Sequence, residues 1–353
     1  MTKSTFPFLL VGLVAALAAP GCKEADTAGT GGPSTASTQS SGGAFDGKLR
    51  IASYEPTVEL YRDLNAAFRQ KWKQATGRDI DVETSHGPSG TQAQKIAQGN
   101  EVDIAALSVD FDIDKIVEAG VIEKDWRGEY PNDAVPYTSA VVFLVRKGNP
   151  KGVKDWEDLA RDDVTGLAPD PKTGGGARWI YLSAWAHALR KGGDDAAAKE
   201  FTNKVYDKAV LDPAMRQSTT RFVSQGEGDV LFGWENEILQ IVNDPKVKSD
   251  YQIVLPSDSI VIEVPIAVVD KVVDRRGSRE AAEAFVKFLF SDEGQDIVAK
   301  RYNRPSSSSV QQKYAQQFPS LKLFRFKEHF TSWPEVMKRH FSQGGELDQM
   351  RTK

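Results

Sequence analysis

The stretch PKTGGGARW, residues 171–179, places three consecutive glycines directly before a segment with helical character, ARWIYLSAWAHAL (177–189). Bare glycine backbone in that position fits a hinge, a packing contact or a cradle for an anion. The third option has a physical basis, because the first turn of a helix presents unpaired N–H groups and a partial positive charge. Other features of the sequence distinguish these three options.

Two other turns share this design, in which a strand-like run ends, small or polar residues follow and a helix begins. They are SYEPT (53–57) and SHGPSG (85–90). One glycine-rich turn alone indicates only ordinary turn geometry, since every α/β protein has many helix starts. Three such turns in one chain favour a shared anion site built from neutral dipoles.

Strand-like and helix-like segments alternate along most of the chain. A helix is predicted for 56–77, where Tyr61, Leu64, Phe68 and Trp72 fall on one face. The alternation predicts an α/β fold with mostly parallel sheets. A folded part of about 300 residues is large for one core. We therefore expect two lobes whose strand ends face each other across a ligand cleft.

Composition excludes several classes of function. The formal net charge is −4 without a basic stripe, so nucleic acid is not expected as a partner. The chain has one cysteine, Cys22, and four scattered histidines, His86, His187, His329 and His340. An internal disulfide is impossible, and the spacing suits neither a metal centre nor Cys/His catalysis. We expect no cofactor.

The N-terminal residues differ in kind from the rest. Residues 1–22 carry a lysine, an apolar run and small residues before Cys22, which is typical of a secretory signal peptide and too short for a lasting membrane helix. The position of Cys22 predicts lipidation, while Ala16-Leu17-Ala18 offers an ordinary signal-peptidase site instead. Residues 23–47 are rich in Gly, Ser and Thr and predict a disordered tether, or a leader without a role.

Motifs for chemistry are incomplete. The run Gly87-Pro88-Ser89-Gly90-Thr91 lacks the second glycine of the G-x-S-x-G elbow, and the chain contains no nucleotide P-loop. His86 near Ser89 suggests a nucleophile and base, but a histidine that caps a turn explains it more simply. Glu235 and Glu237 alternate along a predicted strand in GWENE, as acid–base partners or as a solvated or salt-bridged pair.

Several long stretches resemble the periplasmic sulfate-binding proteins of bacterial ABC importers, the sulfate/thiosulfate branch of the solute-binding family. The resemblance runs from about residue 48 to 343. It is carried by these stretches: SYEPT, ETSHGPSGTQ, VPYTSAVVFLVRKGNPK, PKTGGGARWIYLSAW, GDVLFGWENE, VVDKVVDR, SDEGQDIVAKRYNRP and FPSLKLF. It implies a two-lobed type II periplasmic binding protein fold, in which each lobe is a mixed, mostly parallel sheet flanked by helices. Lobe I would be 48–135 plus 266–353, and lobe II 136–265, with the ligand in the cleft between them.

The resemblance also implies a set of ligand contacts made without counter-charges. Glu55, Gly175, Gly176 and a position near Met215 would donate backbone N–H groups, Ser89 a hydroxyl and Trp234 its indole N–H. Such a site of donors alone accepts sulfate and leaves the O–H of hydrogen phosphate unpaired.

Two residues depart from the family pattern. Glu55 stands where aspartate is usual. The effect of this change is mild if only the backbone of Glu55 donates, whereas a carboxylate that reaches inward would repel sulfate or give phosphate an acceptor. Gly174, which also belongs to the predicted ligand contacts, stands where the family has a serine, so the ligand-binding set lacks one hydroxyl donor. A water could fill that gap, or the pocket could suit a ligand with one weaker acceptor, such as thiosulfate.

The resemblance implies capture of sulfate or thiosulfate outside the cytoplasm and delivery to the permease and ATPase subunits of an ABC importer, without chemistry. The protein would be a periplasmic monomer, tethered to the membrane only if Cys22 is lipidated. Alternatives are a binding protein for phosphate or molybdate, an anion sensor, and an extracytoplasmic hydrolase of phosphate or sulfate esters. The hydrolase would need a nucleophile, metal ligands or paired acids around the anion.

Overall fold

The structure is a computed structural model that describes residues 43–351. The predicted signal peptide, the predicted lipidation site Cys22 and most of the predicted tether lie outside the described residues. Within the described range the chain forms twelve strands and fourteen α-helices. No helix in this range is both long and apolar enough to cross a membrane.

The strands are short, apart from the fourth. They are β1 (Lys48–Ser53), β2 (Asp81–His86), β3 (Ile104–Ala106), β4 (Tyr137–Arg146), β5 (Gly166–Pro169), β6 (Ala209–Asp212), β7 (Val230–Trp234), β8 (Tyr251–Val254), β9 (Ser259–Val264), β10 (Ile266–Val268), β11 (Arg304–Pro305) and β12 (Leu323–Phe324).

The helices fill the connections between these strands. They are α1 (Val58–Thr76), α2 (Ser89–Ala97), α3 (Asp110–Glu118), α4 (Pro131–Ala134), α5 (Gly175–Arg190), α6 (Asp195–Asp207), α7 (Met215–Val223), α8 (Glu235–Asn243), α9 (Asp270–Arg276), α10 (Arg279–Phe290), α11 (Asp292–Lys300), α12 (Ser308–Lys313), α13 (Trp333–Val336) and α14 (Glu346–Arg351). Short 3-10 turns lie at Glu55–Thr57, Trp126–Gly128, Trp156–Ala160 and Phe326–Glu328, and a π turn at Met337–Phe341.

Two mixed sheets organise the chain. The smaller has the order β10-β3-β1-β2, with β1 parallel to β2 and β3, and β10 antiparallel to β3. The larger follows β12-β9-β4-β7-β5-β6, and β8 and β11 also pair with β4. Here β4 is antiparallel to its partners, while β5 is parallel to β6 and β7. The α/β architecture of two sheets flanked by helices is confirmed.

The last part of the chain returns to the larger sheet. β11 pairs with β4 and β12 with β9, and Lys199 of α6 donates to Gln349 of α14 at 2.7 Å. β11 and β12 therefore belong to the larger sheet, although the predicted lobe I includes all of 266–353. The division into two lobes otherwise stays a prediction.

The final residues of the predicted tether are part of the fold. The N–H of Gly43 donates to the carbonyl of Arg275 at 2.7 Å, and the carboxylate of Asp46 accepts from Arg276 at 2.9 Å. Phe45 packs against the core. The predicted disorder of residues 43–47 is therefore corrected by these contacts. Composition could not reveal them, because the partner of Asp46 lies 230 positions away in the sequence.

The helix predicted for 56–77 forms as a 3-10 turn that continues into α1. All four residues of its predicted face, Tyr61, Leu64, Phe68 and Trp72, are buried, as their spacing requires. The helix ends at Gly77, whose φ of 71° supplies the left-handed cap that glycine adopts without strain. The predicted helix is confirmed.

Helix α5, which follows the glycine run, is buried on nearly all sides. Its apolar residues include Trp179, Ile180, Tyr181 and Trp185, each at most 1% exposed. A helix that is apolar around its circumference belongs inside a protein core. The start of α5 is therefore fixed by packing along its whole length.

A network of charges holds the far end of α5. His187 is 1% exposed, and its Nδ1 and Nε2 lie 2.9 Å and 3.2 Å from carboxylate oxygens of Asp258 and Glu157. Arg190 donates to Asp258 at 3.0 Å, and Lys191 lies 3.1 Å from Glu157. Burial lowers the pKa of His187, but the hydrogen bonds to the two carboxylates outweigh it and raise this pKa above its usual value. The cations leave these carboxylates paired, so we interpret the group as structural.

We expect His187→Asn to lower the free energy of unfolding most at acidic pH. Because the pKa of His187 is higher in the folded than in the unfolded protein, its protonation stabilises the fold fully at pH values below the unfolded pKa of about 6.5. This stabilisation is lost as the pH rises through the pKa of the folded protein. Urea unfolding of both proteins from about pH 4.5 to 9 measures this difference. His340, whose burial lowers its pKa to about 4, gives a matched control, since His340→Asn should show the opposite slope below about pH 6.5. A difference for His187→Asn that does not change with pH would contradict the charged network.

Candidate anion site between the strand ends

A cavity of about 70 Å³ lies where parallel strands of both sheets end. In the smaller sheet, β1, β2 and β3 lead into it; in the larger sheet, β5, β6 and β7 do. Its wall comprises Tyr54, Glu55, Pro56, Gly87, Pro88, Ser89, Ser108, Pro169, Thr173, Gly174, Gly175, Gly176, Ala177, Pro213, Ala214, Met215, Arg216, Trp234 and Glu237. The carboxyl ends of parallel strands are the usual ligand edge of such sheets.

All seven residues predicted as ligand contacts line this cavity: Glu55, Ser89, Gly174, Gly175, Gly176, Met215 and Trp234. The structure thus brings together the three turns identified in the sequence. The binding role of each residue remains a prediction.

Five helix starts converge on the cavity. They are the 3-10 turn at Glu55, α2 at Ser89, α5 at Gly175, α7 at Met215 and α8 directly after Trp234. The first N–H groups of each helix have no acceptor within that helix, and they carry its partial positive charge. Together they contribute partial positive charge to the cavity wall.

The three glycines have separate structural roles. A Cβ on Gly175 would lie 2.5 Å from Oγ of Ser108, and a Cβ on Gly176 would lie 3.0 Å from the ring of Trp234. Both glycines therefore permit a close approach that a side chain would obstruct. Gly174 is different: a Cβ there would meet Ala177 at an ordinary 3.5 Å, and the residue caps α5 in an extended conformation.

Trp234 closes one side of the cavity. Its ring lies against Tyr54, with 5.6 Å between the ring centroids, and the residue is 3% exposed. The indole N–H donates to the carbonyl of Gly176 at 3.1 Å. This group therefore has a protein acceptor in the structure, and a ligand would have to compete for it.

Ser89 and Ser108 form a second pair in the wall. The N–H of Ser108 donates to Oγ of Ser89 at 3.1 Å, which leaves the Ser89 hydroxyl hydrogen available. Oγ of Ser108 is buried and has no hydrogen-bond partner. Sequence reasoning missed Ser108, although it follows β3 by two positions, at the same edge as the recognised turns.

His86 is not a base for Ser89. Its Nδ1 lies 3.4 Å from both Oγ1 of Thr57 and the carbonyl of Tyr54. Burial lowers the pKa of this histidine. The turn-capping interpretation fits these contacts, because both partners belong to the neighbouring turn.

Met215 and Glu55 both belong to the cavity wall. Met215 begins α7, so its N–H is among those without an intrahelical acceptor, and its side chain packs on Gly233. Glu55 begins the 3-10 turn that leads into α1. Both positions suit the predicted backbone donors.

The acids of GWENE lie in the first turn of α8 rather than on a strand, which corrects that prediction. Glu235 is fully buried and accepts two hydrogen bonds from Arg304, at 2.6 Å and 2.8 Å. Glu237 lines the cavity, and its Oε2 is buried without a hydrogen-bond partner. The two residues are thus neither an acid–base pair nor one salt-bridged unit.

Two charged groups in the wall were not anticipated as contacts. They are Glu237 and Arg216, the second residue of α7. Arg216 adds one positive charge to the helix starts. Glu237 adds a carboxyl group, so hydrogen-bond donors alone do not form the wall.

Comparison with known proteins identifies related chains. The model of the bacterial extracellular solute-binding protein family matches residues 49–302. A sulfate-binding protein of Escherichia coli (strain K12) is 47% identical over 309 residues, covering 87% of this chain and 94% of that protein. A thiosulfate-binding protein of Pseudomonas aeruginosa is 42% identical over 304 residues, covering 86% and 91%.

A solved structure agrees with these sequence relationships. The sulfate-binding protein SubI from Mycobacterium tuberculosis H37Rv matches with a TM-score of 0.74 and 30% identity, covering 84% of this chain and 99% of that chain. The family model covers well over half of the sequence, and the relatives span most of it. The chain therefore belongs to the family of bacterial extracellular solute-binding proteins.

Proposed function

We propose that the protein captures sulfate or thiosulfate in the cavity between the strand ends and delivers it to an ABC importer. The observation that carries this proposal is the convergence of five helix starts on one small cavity, with Gly175 and Gly176 exposing backbone N–H groups there. The relatives named for sulfate and thiosulfate binding support the choice of ligand.

Neutral donors explain how such a cavity holds a dianion. Transfer of an unpaired ion from water into a protein interior is costly. Hydrogen bonds to a charged acceptor each contribute roughly 1.5–3 kcal/mol, and each helix start adds about 0.3–1 kcal/mol. The proposed donors are the N–H groups of Glu55, Gly175, Gly176 and Met215, together with the Ser89 hydroxyl and the Trp234 indole N–H. Arg216 contributes a long-range attraction.

We also propose that binding occurs without catalysis. Ser89 Oγ accepts from a backbone N–H, and His86 is engaged by Thr57 and Tyr54 instead. The ester hydrolase considered from sequence would need a nucleophile beside a base. These contacts do not supply that arrangement in the cavity wall.

The transport setting follows from the family and from the N-terminal sequence. We propose a periplasmic monomer that docks on permease and ATPase subunits, with export directed by residues 1–22 and lipidation at Cys22 as the membrane anchor. Mass spectrometry of the mature protein tests the anchor, since an acylated Cys22 would be its first residue.

Isothermal titration calorimetry with sulfate, thiosulfate, phosphate and molybdate tests the proposed function. We expect the first two to bind tightest, and Trp234→Phe to weaken sulfate binding by about tenfold or more through the loss of one donor to a charged acceptor. Trp72→Phe, on the core face of α1, is the control and should bind as the wild type does. Equal affinity of Trp234→Phe and wild type would remove the indole from the site.

Gly175→Ala should reduce sulfate affinity by at least about tenfold, because a Cβ there displaces Ser108 and the start of α5 from their contact. Gly174→Ala is the matched control, since its Cβ has ordinary van der Waals room. Calorimetry of both variants, with thermal unfolding to check folding, makes the comparison. Wild-type affinity in Gly175→Ala would mean that this close approach does not shape the site.

Gly174→Ser tests whether the missing hydroxyl tunes the ligand. An added hydroxyl at the cap of α5 should strengthen sulfate binding by about tenfold relative to Gly174→Ala, since a hydrogen bond to a charged acceptor is worth roughly 1.5–3 kcal/mol. Thiosulfate should gain less, because its terminal sulfur is a weak acceptor. If wild type already binds sulfate at least as tightly as thiosulfate, the thiosulfate preference is excluded.

A further inference from the structure

Glu237 is an acidic group in the cavity wall that the proposed set of donors does not include. It lies in the first turn of α8, three positions after Trp234. The carboxyl group lines the same cavity as the proposed donors, and its Oε2 is buried without a hydrogen-bond partner. Because native proteins rarely leave a buried polar oxygen unpaired, this atom calls for an explanation.

The charged groups around Glu237 come from three other elements. Arg216 of α7 and the positive end of α8 favour the ionised carboxylate, whereas Glu59 of α1 and Glu55 of the 3-10 turn oppose it. Tyr54 lies nearby as a neutral hydroxyl. Burial is the largest influence, and it raises the pKa of Glu237 to about 8. In the free protein near neutral pH the side chain is therefore mostly the neutral acid.

A bound dianion reinforces this preference. Two negative charges placed in the same small cavity repel an ionised carboxylate at short range. A protonated carboxyl instead offers an O–H, which donates a hydrogen bond as a hydroxyl does. Apolar protein sites elsewhere keep a carboxylic acid neutral at pH 7 for this purpose.

We infer that Glu237 accompanies the bound oxyanion as a neutral carboxylic acid whose O–H serves as a further donor, so that anion capture at alkaline pH requires uptake of one proton from solvent. This inference rests on the proposed function and adds to it a specificity-determining residue and a dependence on pH. It also explains how an acidic side chain is tolerated in a cavity for anions.

The test is calorimetry of the mature protein with sulfate at about pH 6.5, 7.5, 8.5 and 9.5, because sulfate itself does not titrate in this range. We expect wild-type affinity to be constant up to about pH 7.5 and then to fall towards tenfold per pH unit. At about pH 8.5, buffers that differ in ionisation enthalpy should give different heats, which reports the proton taken up.

Glu237→Gln supplies the decisive comparison, since its amide is neutral at every pH and still donates an N–H. We expect this variant to bind sulfate with an affinity that does not vary over the same range, and with no proton uptake. The control is Glu59→Gln, which should keep the wild-type profile with its break moved to slightly lower pH, because a like charge near Glu237 has been removed.

The outcomes separate the inference from the proposed function. If no tetrahedral anion binds at any pH, the proposed function is wrong. If sulfate binds but the wild-type affinity is constant to about pH 9.5, or if Glu237→Gln keeps the wild-type pH dependence, the neutral-acid role is overturned and the proposed function stands.

Discussion

Backbone reaches the cavity at the start of α5 because Gly175 and Gly176 have no side chains. Gly175 faces Ser108, which follows the smaller sheet, and Gly176 faces Trp234, at the end of the larger one. A methyl group at either position would hold these surfaces apart. This close approach is the constraint on which the cavity depends, since it lets strand ends from both sheets surround one small volume. The packing and cradle options for the glycine run are thus compatible, because the same close packing brings the backbone of Gly175 and Gly176 to the cavity wall.

Ionised carboxylates in the cavity wall would repel an anion, so their negative charge has to be limited. Helix starts supply attraction for an anion without a mobile counter-ion, and Arg216 adds one full positive charge at the wall. Glu235 is neutralised by Arg304, whereas Glu237 has no such partner for Oε2. Negative charge is therefore limited differently at the two acids of this motif. Glu235 is neutralised by its ion pair, and Glu237 by its proton.

The predictable part of the structure is local. The apolar face of α1, the alternation of strands and helices, and the three turns before helices follow from spacing and turn chemistry, and the structure bears them out. The strand predicted for GWENE is wrong, because the motif alternates for too few positions to distinguish a strand from a helix start. Contacts between distant positions, such as Asp46 with Arg276, leave no periodic pattern in the sequence. The position of Ser108 in the cavity wall was missed for the same reason, because that position follows only from the pairing of β3 with β1.

Helix α5 connects two regions of different chemistry, a glycine-rich helix start and a cluster of charged side chains. One end is the glycine cradle, and the other, about 24 Å away at 1.5 Å per residue, is fixed by His187 and Arg190 to Asp258. Because the helix is packed along its length, it behaves as a stiff rod whose distant end is clamped by charge. A shift of this stiff helix would displace the N–H groups at its start, where hydrogen bonds tolerate only a few tenths of an ångström. The affinity of such a site for an anion can thus depend on residues that never contact the anion.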